Sequence, residues 1–457
     1  MRLVFLVCSI LSPVLSLNIP GSTPSGAAKV DPALVSVSLE FFAFPGYTEL
    51  PATANCLANL AAFRGAQPAV RIGGTTQDRA TYDPALSTAV NYTVAAPGDA
   101  PASLTYGPSF FTLAGALRGD VTVGLNRQLD NQANTLAAGV QAKNTMSNLL
   151  AIELGNEPEY YAAGSPIAQG AAWNAAADGA SQKSWFTNLA SSLGDVFEAA
   201  VYLQWDVGGL VPLLGDALSH VKSFSRHSYP NQAAEMLMAH SSVVSYVAGY
   251  KSEIATVHNA GKLYFFGETN SATGGGATVS PTYAAALWIV DYVLQAALNG
   301  ADRLYFHHGT IGNCQYCWWG ASAVYTPYYG AAFVSEFLGT DGAALVMLDD
   351  GTGAVGSYVV YDGAGAPVRL LRHGTRASTE VSFSGLGAGS GTLSAKRLTG
   401  TGAGARVDEG DAVTIGGGGF DDACSQSGTQ VLESVAVSAG TFSVELLASE
   451  ALIVYLE

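Results

Sequence analysis

The sequence predicts an α/β chain: a (β/α)8 TIM barrel followed by a C-terminal antiparallel β-sandwich. Three observations carry that prediction. Eight short β-rich runs alternate with helix-patterned runs between residues 35 and 308, as in parallel crossover units that close on themselves. No glycine-rich phosphate loop opens the first unit, which disfavours the open doubly wound sheet. After about residue 340, helical periodicity vanishes and β-rich runs alternate with Gly/Asp/Ser turns.

Taken in order, residues 35–42 alternate and then turn apolar, as the first strand, and 51–63 follow with Leu57, Leu60 and Phe63 at helical spacing. Residues 69–74 are the second strand, 110–117 a helix, 121–125 the third strand and 132–147 a helix. Strand four is 149–154, followed by an amphipathic run over 181–199; strand five is 201–205, with a short helix near 211–220. Strand six is 223–229, and a helical stretch spans 233–259. Strand seven is the apolar run 263–266 entering Gly267-Glu268, a pattern for a strand covered on both faces. A helix over 283–299 carries Leu287, Val290, Leu294 and Leu298 on one stripe and stops at Gly300. Residues 303–308 make strand eight. The domain boundaries read as a leader over 1–16, an extended segment over 17–34, the barrel over 35–339 and the sandwich over 340–457. The extended segment is expected to add an edge strand to the second domain.

Of 457 residues, 12% are charged, 10% aromatic and 53 are glycine, a well-buried and loop-rich composition. The net charge of −16 excludes nucleic acid, anionic membrane surfaces and long polyanions as partners. Arg2, an apolar run and the small residue Ser16 form a secretory signal in order and size, so the mature protein is expected to be extracellular. No other stretch reaches membrane length. Four cysteines remain after cleavage: Cys56, Cys314, Cys317 and Cys424. An even count in a secreted chain implies disulfides, with three connectivities open. Cys314-x-x-Cys317 reads as a structural disulfide, since neither a second such pair nor histidines at ligand spacing accompany it. Asn91-Tyr92-Thr93 is a glycan acceptor sequence.

Barrel active sites lie at the C-terminal ends of the strands. Strand four ends in Gly155-Asn156-Glu157-Pro158, where the proline stops both helix and ladder and leaves Asn156 and Glu157 projecting from the mouth. Strand seven ends in Glu268. Two carboxyls at one mouth suit glycosidic cleavage, which needs a proton donor for the leaving oxygen and a carboxylate for the cationic sugar centre. An ionised Glu268 would raise the pKa of Glu157 and keep it protonated as the acid.

The run 70–79 (VRIGGTTQDR) and 153–158 (ELGNEP) resemble glycoside hydrolase family 79, as do 225–230 (SRHSYP) and 266–271 (FGETNS). The family comprises clan A retaining enzymes that include β-glucuronidases and heparanases. The resemblance spans the mature chain and implies a barrel with an appended β-sandwich. It implies Glu157 as acid/base and Glu268 as nucleophile. It places Asn156 on the sugar 2-hydroxyl and Arg71 beside Glu268. Glu40 and Asp78, in the Gln77-Asp78-Arg79 loop, are candidates for sugar-hydroxyl contacts. Tyr229 is a candidate donor to the nucleophile and His227 a candidate sugar contact. Trp318 and Trp319 suit a stacking wall against a pyranose face. His307-His308 lack a third ligand at metal spacing, so neither a metal nor any other cofactor is expected.

In β-glucuronidases of the family, the loop after the nucleophile commonly carries a Ser-Cys-Tyr-Gly-like run that receives the substrate carboxylate. Here residues 270–276 read NSATGGG, without the tyrosine, so backbone N–H groups around Gly275 are the candidate cradle. The reading is a secreted, retaining, exo-acting β-glucuronidase, whose partner is a glycan or glycoside with a terminal β-linked uronic acid, 4-O-methylated forms included. Another clan A β-glycosidase and a non-catalytic glycan-binding protein are the alternatives.

Overall fold

The computed structural model describes residues 15–374 and 379–457. Eight parallel strands close into a barrel. They are Val35–Glu40, Val70–Gly73, Val121–Leu125, Leu149–Leu154, Phe197–Tyr202, Val221–Ser228, Leu263–Thr269 and Arg303–His308. Strand eight pairs with strand one in register, Phe306 against Val37 and His308 against Leu39. Alternation along each strand splits its residues between two environments. Val37, Ile72, Val123 and Ile152 join the main hydrophobic core with the surrounding helices. Ala69, Phe265 and Tyr305, with Leu150, form a separate small cluster at the N-terminal ends of the strands. Above it the interior is polar, with Ser38, Arg71, Glu153, Glu198, Ser223 and Ser225 all buried.

Strand five differs from the expectation: it is Phe197–Tyr202, and the helix before it is Ala175–Leu193. Residues 198–200 (EAA) carry little β-propensity, but parallel pairing with strands four and six decides the conformation. The helical stretch over 233–259 is three helices, Ala234–Met238, His240–Ala248 and Lys251–Asn259. After strand two, Ala80–Tyr82, Val90–Tyr92 and Leu104–Tyr106 form a three-stranded sheet that the periodicity did not reveal. Helix Tyr283–Leu298 is buried on every side from Tyr283 to Ala297, not on one stripe. The second domain covers its outer face, where Asp291 meets His373 and Tyr358 and Gln295 meets Tyr358, while Trp288 and Tyr292 pack on the barrel strands.

The C-terminal domain is an antiparallel sheet curled around its own core of Val359, Leu370, Phe383, Phe442 and Val454. Leu15–Asn18 pairs parallel with Thr379–Ser384, and Ala28–Lys29 pairs with Ala344–Met347, so the N-terminal segment contributes to this sheet. Most of the leader, residues 1–14, lies outside the described residues. No helix among the described residues is long and apolar enough to cross a membrane.

Two disulfides form, Cys56–Cys424 and Cys314–Cys317. The first ties helix Pro51–Arg64 to the C-terminal domain across 368 residues. A buried polar cluster makes a further link. His240 Nδ1 lies 3.0 Å from Asp291, and its Nε2 lies 3.0 Å from Asp349. His373 Nε2 lies 3.1 Å from Asp291, and Tyr358 donates to the same carboxylate.

Candidate active site

A cavity of about 480 Å³ opens over the C-terminal ends of the barrel strands. Its wall includes Glu40, Arg79, Glu157, Tyr229, Glu268, Gly275 and Tyr316. Glu268 leaves strand seven where the ladders to strands six and eight both shift register. Such irregularities re-aim a side chain, and this one turns the carboxylate towards the barrel axis. Arg71 Nη1 donates to it at 2.7 Å and the Tyr229 hydroxyl at 2.6 Å. Burial alone would favour its neutral form, but His307, His227 and Arg71, with the Tyr229 hydrogen bond, outweigh burial and hold it below the usual carboxylate range.

Glu157 is delivered by strained backbone. It sits in the left-handed region at φ 45°, following Gly155 at φ 82°. A side chain at Gly155 would lie 2.3 Å from the Tyr161 hydroxyl, so only glycine fits this turn. The Glu157 N–H donates at 3.0 Å to the carbonyl of Val201, which with Ala200 also has positive φ, at 63° and 71°. A β-branched residue there is costly, and the surrounding ladder over-determines it. The Glu157 carboxylate contacts His227 Nδ1 at 2.9 Å. Burial would lower the His227 pKa, but Glu268 and the hydrogen bond to Glu157 raise it above its ordinary value. One oxygen each of Glu157 and Glu268, and a ring nitrogen of His227, all lie within 4.8 Å of one another.

Arg71 organises what lies beneath. Its Nε and Nη2 grip both oxygens of Glu153 at 2.7 Å each, while Nη2 also donates to Asn156 Oδ1 at 2.9 Å and Nη1 to Ser38 at 3.0 Å. Asn156, beside Glu157, is thereby fixed by its oxygen and keeps its amide N–H groups for another acceptor.

Of the ten residues singled out from sequence, Glu40, Glu157, Tyr229, Glu268 and Gly275 reach the cavity wall. The other five lie off the wall, Asn156 among them, held by Arg71 and Asp78. Trp318 and Trp319 are no stacking wall: both are fully buried, Trp318 against Phe306 and Trp319 against His308. Asp78 does not reach a sugar; its buried carboxylate accepts N–H bonds from Arg127, Gln128 and Asn156 and the Tyr161 hydroxyl. His227 is fully buried under Glu157, and Arg71 is fully buried under Glu268 and Asn156, so neither touches the cavity. Arg79, from the candidate loop 77–79, is on the wall, whereas sequence reasoning missed His307, Asn313 and Tyr316 as wall residues. Tyr316 lies inside the Cys314–Cys317 loop, and the Gln315 N–H donates to Gly275 O at 2.7 Å, so that loop and the glycine run meet. The disulfide spacing was the one signal that could have found it.

The molecule is similar to known proteins along most of its length. Residues 357–453 match the model described as "Glycosyl hydrolase family 79 C-terminal beta domain". A β-glucuronidase of Aspergillus niger is 30% identical over 399 residues, covering 76% of this chain and 72% of that protein. One of Neurospora crassa is 29% identical over 360 residues, covering 67% and 63%. The solved 4-O-α-L-rhamnosyl-β-D-glucuronidase of Fusarium oxysporum is 44% identical with a TM-score of 0.93, covering 96% of this chain and 100% of that one. The family 51 α-L-arabinofuranosidase of Thermotoga petrophila shares the fold alone, at 11% identity and a TM-score of 0.68, covering 97% and 99% of the two chains.

Proposed function

The chain belongs to glycoside hydrolase family 79, and from that premise we propose that this hydrolase releases terminal β-glucuronosyl residues from extracellular glycans by double displacement. The carrying observation is the spacing of Glu157 and Glu268, with oxygens within 4.8 Å. Retaining enzymes hold the two carboxyls about 5–5.5 Å apart, whereas inverting ones leave room for a water at about 6.5–9.5 Å.

In this reading Glu157 protonates the glycosidic oxygen as Glu268 attacks the anomeric carbon, and the aglycone departs. Glu157 then takes a proton from water, which displaces Glu268 with a second inversion. Arg71 and Tyr229 keep Glu268 ionised and oriented for both steps. The free amide of Asn156 meets the sugar 2-hydroxyl. The uronate carboxylate faces Thr273, Gly274, Gly275, Tyr316 and Asn313, where two glycines have φ of 65° and 87° and expose their backbone.

Exo action is supported by a strap across the mouth: Asn313 Nδ2 donates to Gly98 O at 2.8 Å and Arg79 to Pro101 O at 2.9 Å. The likeness to the Fusarium oxysporum enzyme favours a second reading in which the uronosyl unit is capped at O4, by rhamnose or a methyl group. A panel of nitrophenyl glycosides and O4-capped glucuronides tests both. Turnover of the β-glucoside without any glucuronide would overturn the substrate assignment, and α-configured sugar as the first product would overturn retention.

A further inference from the structure

Four charged or ionisable groups face one another inside the barrel below the cavity, and the charge there does not balance. Arg71 has five N–H donors, and all five are used: Nε on Glu153, Nη1 on Glu268 and Ser38, Nη2 on Glu153 and Asn156. The two carboxylates it holds already exceed its single charge. A third carboxyl, Glu198, stands directly beside Glu153, because the two are register partners on adjacent strands and both are buried in the interior. Register partners on one face bring their side chains close, and like charges so placed repel.

No donor is left on Arg71 for Glu198. Ser223 Oγ donates to Glu198 Oε2 at 2.6 Å. The other oxygen, Oε1, borders the backbone of Gly267, where a side chain would lie 3.6 Å from it and 2.0 Å from Ser225 Oγ. Ser225 Oγ is buried without a hydrogen-bond partner. An orphan oxygen beside an acid that has no cation is what a proton on that acid would satisfy.

We propose that Glu198 is a positioning residue held as a neutral acid, leaving Arg71 wholly to Glu153, Glu268 and Asn156, and that its ionisation loosens this grip and contributes to the alkaline limb of activity. The groups facing it are Glu153 on strand four, Arg71 on strand two, Ser223, Ser225 and His227 on strand six, Gly267 and Glu268 on strand seven, and Tyr305 on strand eight. Burial and then Glu153 push the Glu198 carboxyl up to about 7, against the smaller opposing effects of Ser223, Arg71 and His227. Once ionised, Glu198 competes with Glu268 for the only guanidinium among these groups, and the nucleophile loses part of its anchor.

The role of Glu268 as ionised nucleophile is taken from the proposed function; the neutrality of Glu198 stands without it. The experiment compares the wild type with Glu198→Gln in two ways, as full-length protein. First, kcat/KM is measured against pH on a turned-over glycoside. The variant is expected to keep its acid-side activity within about threefold and to move the alkaline midpoint up by about half a pH unit or more. Second, thermal stability is measured against pH with no substrate present. A carboxyl with a raised folded pKa binds a proton more tightly when folded, so its stabilisation is present below the unfolded value and lost as pH rises through the folded one. Wild type should therefore lose stability between about pH 4.5 and 7 relative to the variant. Parallel stability curves would overturn the neutral acid whatever the substrate is. A shifted stability curve with an unmoved alkaline limb would overturn the link to Arg71 alone. A variant that is folded yet inactive at acid pH would overturn the claim that Glu198 acts only by leaving Arg71 free.

Discussion

Replacing Asp78 by Asn tests whether the turn that carries Asn156 and Glu157 is held from below. The substitution keeps the shape, but turns one oxygen into an NH2 group. Oδ1 accepts from the N–H groups of Arg127 at 3.0 Å and Gln128 at 3.2 Å, and Oδ2 from the Asn156 N–H at 2.8 Å and the Tyr161 hydroxyl at 2.5 Å. Whichever oxygen is lost, two donors face an NH2. Each bond to a charged acceptor contributes about 1.5–3 kcal/mol, so two of them amount to about 3–6 kcal/mol. Burial raises the Asp78 pKa despite those four donors, so the neutral amide regains some desolvation energy. The expectation therefore sits near the lower end, about 3 kcal/mol, read from urea denaturation by linear extrapolation. Activity should fall as well, because Asp78 holds the Asn156 N–H and thus the turn that presents Glu157. A displacement of about 1 Å at a reacting group costs on the order of 10²-fold. The loss should be greater for alkyl glycosides, whose leaving oxygen needs a proton, than for nitrophenyl glycosides. An Asp78→Asn protein within about 1 kcal/mol of wild type and fully active on the alkyl substrate would refute the reasoning.

Four more outcomes follow from the geometry. Glu268→Gln should lose more than about 10³-fold in kcat, and substantial residual turnover would remove it as nucleophile. Glu157→Gln should lose about 10²–10⁴-fold on alkyl glycosides yet retain glycosylation of Glu268 by activated aryl substrates, visible as a burst or a covalent adduct by mass spectrometry. Tyr229→Phe removes a hydrogen bond that favours the Glu268 anion, so the acid limb of kcat/KM should move to higher pH; movement to lower pH would contradict the assignment. His240 links the domains: burial opposes its charge, but Asp291 and Asp349 push its pKa up to about 10. Its stabilisation is full below the unfolded value near 6.5 and is lost as pH rises through about 10. The unfolding midpoint of wild type should fall across that window more steeply than that of His240→Gln, and equal slopes would exclude the link.

Local chemistry was enough to place both carboxyls. Pro158 stops the ladder after strand four, and the apolar run 263–266 reads as a strand entering Gly267, so Glu157 and Glu268 were expected at strand ends, where the fold places them. The alternation of strands and helices then closes the barrel, because crossover handedness leaves few other arrangements. The change of texture after residue 340 likewise marks the second domain, since strand and helix periods differ. Strand five was misplaced by four residues at its start because Glu198-Ala199-Ala200 carries no strong β-preference of its own, and pairing with strands four and six decides it.

What the tertiary structure decided is which side chains face the cavity and which support it from beneath. Trp318 and Asp78 have the residue types of a sugar site, but one packs into the core and the other gathers buried donors. Arg71 and Glu198 lie 127 positions apart (198 − 71) and share one electrostatic problem only because the barrel places them around a common axis. A charge's partners, and hence its protonation, depend on through-space distance and burial, to which sequence separation is no guide. The sequence by itself determined the class of chemistry and singled out the two carboxyls proposed to perform it. Only the fold determined how Arg71, Asp78, His227 and Tyr229 divide the work of holding them.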